Sequence, residues 1–229
     1  MDYNYLKTKA ARVNMKPLIC YSIGNLKEFS FEEYPFEGYE LKTSSEGFKP
    51  NILILLKLKE MFKGKDLSLH SQLSRIFSCN EKGYPEFNEA ELKILRAEII
   101  MSNIIGIKQI IFHMKEGFLT KEEKEKFREI INFAKDKGIV GHLNTAIQSG
   151  KFGMELMEFI DRIKPRIVHI HAHNNYGDRD SHNPVGKGNF PWKDILDKLK
   201  DQNLKKIIIE NRTKEEVVQS KKLLEKYYK

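Results

Sequence analysis

The chain has few cysteines and lacks a long apolar segment. Its 229 residues include two cysteines, Cys20 and Cys79, which lie far apart and form no Cys-x-x-Cys pair. That spacing argues against a disulfide framework, a zinc ribbon and a thioredoxin-type motif. No apolar run approaches the roughly 20 residues that a helix needs to cross a bilayer, so an integral membrane protein is excluded.

A secretory signal is not expected either. Residues 1–24 contain basic side chains but neither an uninterrupted apolar stretch nor a small-residue cleavage pattern. We therefore expect a cytoplasmic protein without a membrane partner. The formal net charge of +8 favours acidic partners, such as nucleic acid or phosphorylated substrates.

Short apolar segments alternate with longer amphipathic segments along nearly the whole chain. The short segments predict seven strands, at 18–23, 38–41, 67–70, 109–113, 139–144, 166–171 and 206–210. Apolar residues at i, i+3 or i+4 spacing predict six helices, at 51–62, 88–105, 121–137, 152–163, 192–200 and 214–227.

Helix starts support this alternation. Thr120 with Glu123 and Thr213 with Glu216 each fit a capping box. Strand followed by helix, repeated, is typical of a parallel sheet, and we predict an α/β protein with a TIM barrel trimmed to seven strands, as a single domain over 1–229. An open doubly wound sheet is disfavoured, because no glycine-rich phosphate loop follows the first strand.

The histidines are concentrated at the predicted strand ends. All seven fall between positions 70 and 182, in or closely after a predicted strand. Because the carboxyl ends of parallel strands meet on one face, these side chains are expected to converge with nearby carboxylates. Imidazoles and carboxylates together are typical ligands of Zn²⁺ or Mn²⁺. The candidate metal ligands are His70, His113, His171, Asp180, His182 and Glu210.

Three further histidines leave alternatives open. His169, the deepest in its strand, is expected to be a hydrogen-bonded packing residue. His142 is equally consistent with packing and with metal binding, and Asn144 lies on the same face of that strand. Strand parity alone allows either His171 or His173 to be the ligand.

The segment HIHAHNNYGDRDSHNPVGKGNFPW, followed by a strand ending IIIEN, carries a family resemblance. It resembles the xylose isomerase-like TIM barrels, which include endonuclease IV and the sugar isomerases and epimerases. The family pattern of His-x-x-Asp, Asp-x-His, Gly-x-Gly and a final Glu corresponds here to His171–Asn174, with Asn in place of the Asp, and to 180–182, 186–188 and Glu210. LSLHSQL and IIFHM resemble the family's third- and fourth-strand motifs, each with a ligand histidine.

The resemblance to endonuclease IV implies a zinc cluster at these positions. His70 with His113, His171 with Glu210, and Asp180 with His182 would each serve one ion. The carboxylate that bridges two ions in the family is Asn144 here, and one strand–helix unit is missing. We therefore expect one or two Zn²⁺ ions, with Mn²⁺ or Mg²⁺ as alternatives, and His142 as a partial substitute ligand.

On this resemblance the leading hypothesis is a metal-dependent phosphodiesterase that cleaves DNA at abasic sites through a metal-activated hydroxide. Glu210 and Asp180 are the expected catalytic carboxylates. One alternative is a metal-dependent isomerase or epimerase that moves a proton on a sugar or sugar phosphate. A second alternative is a degenerate, non-catalytic barrel, for which Asn144 is the best argument. The oligomeric state is left open.

Overall fold

A computed structural model describes residues 16–71, 77–79, 85–87, 89–113, 120–144, 156–177 and 181–228. The strands are β1 (Leu18–Asn25), β2 (Gly38–Glu46), β3 (Asp66–His70), β4 (Phe77–Cys79), β5 (Pro85–Phe87), β6 (Gln109–His113), β7 (Val140–Asn144), β8 (His169–Ala172) and β9 (Lys206–Ile209). The helices are α1 (Ile52–Met61), α2 (Glu89–Ile105), α3 (Lys121–Asp136), α4 (Leu156–Ile163), α5 (Trp192–Leu199) and α6 (Lys214–Tyr227).

Seven of the strands form one parallel sheet, in the order β7-β6-β3-β2-β1-β9-β8. Because β9 pairs with β1, the end of the chain returns to its beginning, as in a barrel. Within the described residues no pairing joins β7 to β8, and residues 145–155 between them lie outside the description. This curled seven-stranded sheet with its helices confirms the predicted trimmed α/β barrel.

The predicted elements agree with the structure except at a few ends. Both capping boxes are present, at Thr120 and Thr213. The strand predicted to begin at Arg166 begins instead at His169, because Lys164–Arg166 forms a 3₁₀ turn with Pro165 in it. The short antiparallel pair of β4 and β5 was not predicted.

No helix connects β1 to β2. An aromatic cluster takes the place of a helix there, and it packs on the outer face of β2. Phe29 and Phe31 contact the rings of Tyr39 and Phe62 at centroid distances between 5.3 and 5.7 Å. The cluster covers the sheet at the position where the other parallel strands have helices.

The two faces of the sheet differ sharply in polarity. On β2, Tyr39 and Leu41 face the helices and are buried in the apolar core. The alternating residues Glu40 and Lys42 face the barrel interior. The apolar core therefore lies between strands and helices, and the interior is lined with polar side chains. Within the described part of the chain, no helix is long and apolar enough to span a membrane.

Candidate metal centre

Four side chains with metal-binding atoms converge near the carboxyl ends of the strands. They come from β2, β3, β8 and the residue after β9: Glu40, His70, His171 and Glu210. One ligand atom from each lies within 4.8 Å of the others. The sequence predicted three of the four as metal ligands, and the exception is Glu40.

His171 lies at the centre of this group. Its Nε2 is 3.0 Å from Oε1 of Glu40, and its Nδ1 is 3.4 Å from Oε2 of Glu210. The ring of His70 stacks on it with a centroid distance of 5.3 Å. The described geometry therefore places His171 rather than His173 in the four-residue group.

Glu40 is fully buried and contacts groups from across the barrel. Ser68 donates a hydrogen bond to its Oε2 at 3.2 Å, and His169 Nε2 lies 3.5 Å from the same oxygen. In the sheet, β9 and β1 separate β8 from β2, so the contacts of Glu40 with His169 and His171 cross the interior. His169, two residues before His171 on β8, has a buried side chain, and its role as a hydrogen-bonded packing residue stays a prediction.

These contacts shift the protonation equilibria of the group. Burial alone would raise the pKa of both carboxyls, but His171 outweighs it and holds the pKa of Glu40 well below its usual range. His171 together with Lys42 lowers the pKa of Glu210 in the same way. Burial alone would lower the pKa of His171, yet the two carboxylates raise it to about 9. Burial lowers the pKa of His70 and keeps its imidazole neutral.

The stability of the metal-free protein should therefore fall as the pH rises through the titration range of His171. The pKa of His171 is raised from 6.5 to about 9 on folding, so its stabilising effect is complete below pH 6.5 and is lost by about pH 9. Urea unfolding in EDTA at the two pH values measures the difference. In a His171→Asn variant the drop should be smaller, and an equal drop in both proteins would contradict this origin.

Lys42 is a second residue of the site that the sequence did not predict. Its Nζ lies 2.5 Å from Oε1 of Glu210. The side chain of Lys42 is 26% exposed, whereas those of Glu210 and His171 are 7% exposed. Lys42 therefore lies at the solvent-facing edge of the group.

The donor set fits a divalent ion. Two imidazoles and two carboxylates suit Zn²⁺ or Mn²⁺. His70 Nδ1 lies 3.1 Å from the carbonyl oxygen of Ser71, a contact in which the ring N–H donates and the Nε2 lone pair stays available. Ligating histidines typically donate their second ring nitrogen in this manner.

A second group of possible ligands shares Glu210 with the first. It consists of His173, His182 and Glu210, whose ligand atoms also lie within 4.8 Å of one another. The rings of His173 and His182 stack at 4.1 Å, and His182 Nδ1 lies 2.9 Å from the carbonyl oxygen of Glu210. His182 has a φ of 52°, and Asn211 donates a hydrogen bond to its carbonyl oxygen at 2.9 Å. The predicted ligand His182 is thus close to Glu210.

For four predicted site residues the structure describes either nothing or the backbone alone. Asp180 is one of them, so its pairing with His182 stays a prediction. The backbones of His113 and Asn144 are register partners at the ends of β6 and β7, and His142 pairs with Ile111. The side chains of His113, His142 and Asn144 are not described, and their roles as ligands also stay predictions.

Sequence comparison gives one short match. No family model matches the chain. A segment of 89 residues is 37% identical to the uncharacterised protein MJ1311 of Methanocaldococcus jannaschii, and it covers 38% of this chain. The match spans only 29% of that relative's length.

Structural comparison extends over nearly the whole chain. A D-tagatose 3-epimerase-like protein superposes with a TM-score of 0.70 and 22% identity, covering 92% of this chain and 97% of that one. The IolI protein with a bound zinc atom gives a TM-score of 0.61 and 16% identity, with coverage of 92% and 99%. The 3-keto-D-glucoside 4-epimerase YcjR of E. coli gives 0.60 and 14%, with coverage of 93% and 99%.

These similarities define the class of fold. The chain has the fold of the xylose isomerase-like TIM barrels, as the strand-end motifs predicted. The structures compared above include two described as an epimerase or epimerase-like and one with zinc. At these identities they show the fold, and the activity of this chain has to be argued from its own residues.

Proposed function

We propose that the protein is a divalent-metal-dependent isomerase or epimerase, which moves a proton on a sugar that carries a carbonyl beside a hydroxyl group. The observation that carries this proposal is the convergence of Glu40, His70, His171 and Glu210, with Lys42 at its exposed edge. Similarity to the epimerases described above supports it. We take residues 1–229 as one barrel domain.

The four donors would hold one Zn²⁺ or Mn²⁺ ion, with Mg²⁺ as the less suited alternative for a site with two imidazoles. When bound, such an ion would polarise a substrate carbonyl and so acidify the C–H bond of the adjacent, hydroxyl-bearing carbon. Glu40 has no exposed surface and is suited to binding the ion at depth. His113, Asp180, His182, His142 and Asn144 stay predicted ligands.

Glu210 is the carboxylate that can meet a substrate. It is ionised at neutral pH, because its neighbours lower its pKa, and it lies closer to the exposed edge than Glu40. We assign the acceptance of the substrate proton to a carboxylate oxygen of Glu210. The Lys42 ammonium would donate a hydrogen bond to the oxygen on which negative charge develops. Asp180 stays the predicted second acid–base group.

DNA cleavage at abasic sites, the leading hypothesis from the sequence, receives no support from these structural neighbours, which favour the isomerase alternative. The second group of ligands at His173 and His182 is compatible with more than one ion, but Asp180, which the phosphodiesterase hypothesis needs there, is not described. We therefore propose a sugar, free or phosphorylated, as the substrate class.

Proton exchange with solvent tests the proposal directly. Protein loaded with Zn²⁺ or Mn²⁺ and incubated in D₂O with D-tagatose, D-fructose or D-allulose should replace one carbon-bound proton next to the carbonyl by deuterium. Proton NMR follows the loss of that signal and the appearance of the epimer or aldose. Phosphorylated ketoses form the second arm of the panel.

The outcomes separate the alternatives. Metal-dependent exchange with one panel member, absent from a Glu210→Gln variant, supports an isomerase or epimerase. No exchange with any sugar, together with cleavage of an abasic-site DNA duplex, would favour the phosphodiesterase. Neither activity in a protein that binds metal tightly would favour the non-catalytic barrel.

A further inference from the structure

A buried carboxylate outside the barrel interior is connected to the candidate metal centre. Glu98 lies on α2 and is 2% exposed. Its Oε1 accepts a hydrogen bond from Thr43 Oγ1 at 2.6 Å, and its Oε2 accepts one from Ser71 Oγ at 2.5 Å. Each oxygen of this one carboxylate thus binds a hydroxyl group from a different chain segment.

Those hydroxyl groups belong to residues next to the site. Thr43 follows Lys42 on β2, and Ser71 follows His70 at the end of β3. Lys42 and His70 are themselves register partners in the sheet. Glu98 therefore ties together, from the helix side, the two strand ends that present Lys42 and His70 to the interior.

The connection to His70 continues through one more contact. The Ser71 carbonyl oxygen lies 3.1 Å from His70 Nδ1, and it accepts the proton of that nitrogen. With the proton held on Nδ1, the lone pair is on Nε2 and the ring orientation is fixed. If Ser71 moved, neither the Nδ1–H tautomer nor the ring orientation of His70 would be fixed any longer.

We infer that Glu98 is a positioning residue of the metal centre: by binding the Ser71 and Thr43 hydroxyls, it holds the Ser71 carbonyl where it orients His70. This inference rests on the metal centre of the proposed function. Packing alone does not explain a carboxyl group in this position, since an apolar side chain of similar size would fill the space without the desolvation cost of a polar group. The hydrogen bonds from the Thr43 and Ser71 hydroxyls, at 2.6 and 2.5 Å, are short, which suits a positioning role.

Variants at three positions test the inference. Glu98→Ala removes both hydrogen bonds, and Ser71→Ala and Thr43→Val remove one each. Glu98→Gln keeps an amide oxygen for one hydroxyl group and should be intermediate. Glu123→Gln is the matched control, because Glu123 is also a buried glutamate on an outer helix, but it caps α3 instead of contacting the site.

Two readouts go beyond activity. Competition with a chromophoric chelator should show zinc affinity 10- to 100-fold weaker in Glu98→Ala and Ser71→Ala, by comparison with other outer residues that orient ligands. In the metal-free protein, ¹⁵N NMR should show His70 as the Nδ1–H tautomer in the wild type and as a tautomer mixture in both variants. The control should change neither readout.

Zinc affinity within twofold of the wild type in a folded Glu98→Ala protein, with an unchanged His70 tautomer, would overturn the inference. If Glu98→Ala does not fold, Ser71→Ala and Thr43→Val decide by the same two readouts. A wild type that takes up no zinc would refute the metal centre itself. The tautomer of His70 in that protein would still show whether Glu98 positions the ring.

Discussion

A His171→Ala protein is expected to lose the divalent metal and, with it, proton exchange on any sugar. His171 is the residue that contacts both carboxylates of the group, through Nε2 to Glu40 and Nδ1 to Glu210. Its removal deletes a ligand and leaves two buried carboxylates facing each other without the imidazole between them. Changes in outer residues alone typically weaken metal binding 10- to 100-fold, so a loss on the order of 100-fold or more is expected here.

Elemental mass spectrometry of protein purified without chelator or His-tag measures this loss as metal per chain. His169→Ala is the matched control, since His169 lies two residues earlier on the same face of the same strand but outside the four-residue group. Because His169 contacts Glu40 at 3.5 Å, this variant should bind metal more weakly than the wild type but retain far more of it than His171→Ala. Equal metal content in wild type and His171→Ala would place the ion elsewhere, with His173 and His182 as the next residues to change.

Much of this arrangement could be predicted because local signals and strand geometry agree. Threonine with glutamate three residues later set the starts of α3 and α6, and short apolar segments set the strands. Since parallel strands end on one face, histidines far apart in sequence could be assigned to one site. His70, His171 and Glu210 meet there as predicted.

Glu40 and Lys42 could not be predicted in the same way. In GYELKT, the apolar and polar residues alternate, which indicates two faces but not which of them points into the barrel. The interior of a TIM barrel is usually filled by branched apolar side chains, so the pattern gave no reason to place the polar face of β2 inside the barrel. Here helices and aromatic side chains cover the apolar face, and the polar face lines the interior.

Glu40 also matters for the carboxylate that this chain lacks relative to the family pattern. The sequence places Asn144 where the related enzymes carry a bridging carboxylate, and a non-catalytic barrel was an alternative for that reason. Glu40 brings a carboxylate to the four-residue group from β2, which lies three strands from β7 in the sheet. The described residues thus supply two carboxylates to this group, those of Glu40 and Glu210.

A Lys42→Met protein is expected to keep its metal and to lose most of its catalytic rate. An ammonium group does not bind a cation, and Nζ of Lys42 occupies one oxygen of Glu210 at 2.5 Å. Its removal should therefore leave metal affinity unchanged or raise it. If Lys42 stabilises the oxygen on which negative charge develops, kcat should fall about 10²- to 10³-fold, as it does when one such donor is removed from other enzymes.

Whether the Lys42→Met change affects kcat or KM identifies the role of Lys42. A donor that acts only as charge develops contributes little to binding of the neutral sugar, so KM should change much less than kcat. Lys42→Arg, which keeps a charge and donors at the same edge, should recover part of the rate. Loss of metal from Lys42→Met would show instead that Lys42 maintains the geometry of Glu210. A change confined to KM would show that Lys42 binds the substrate but takes no part in the proton transfer.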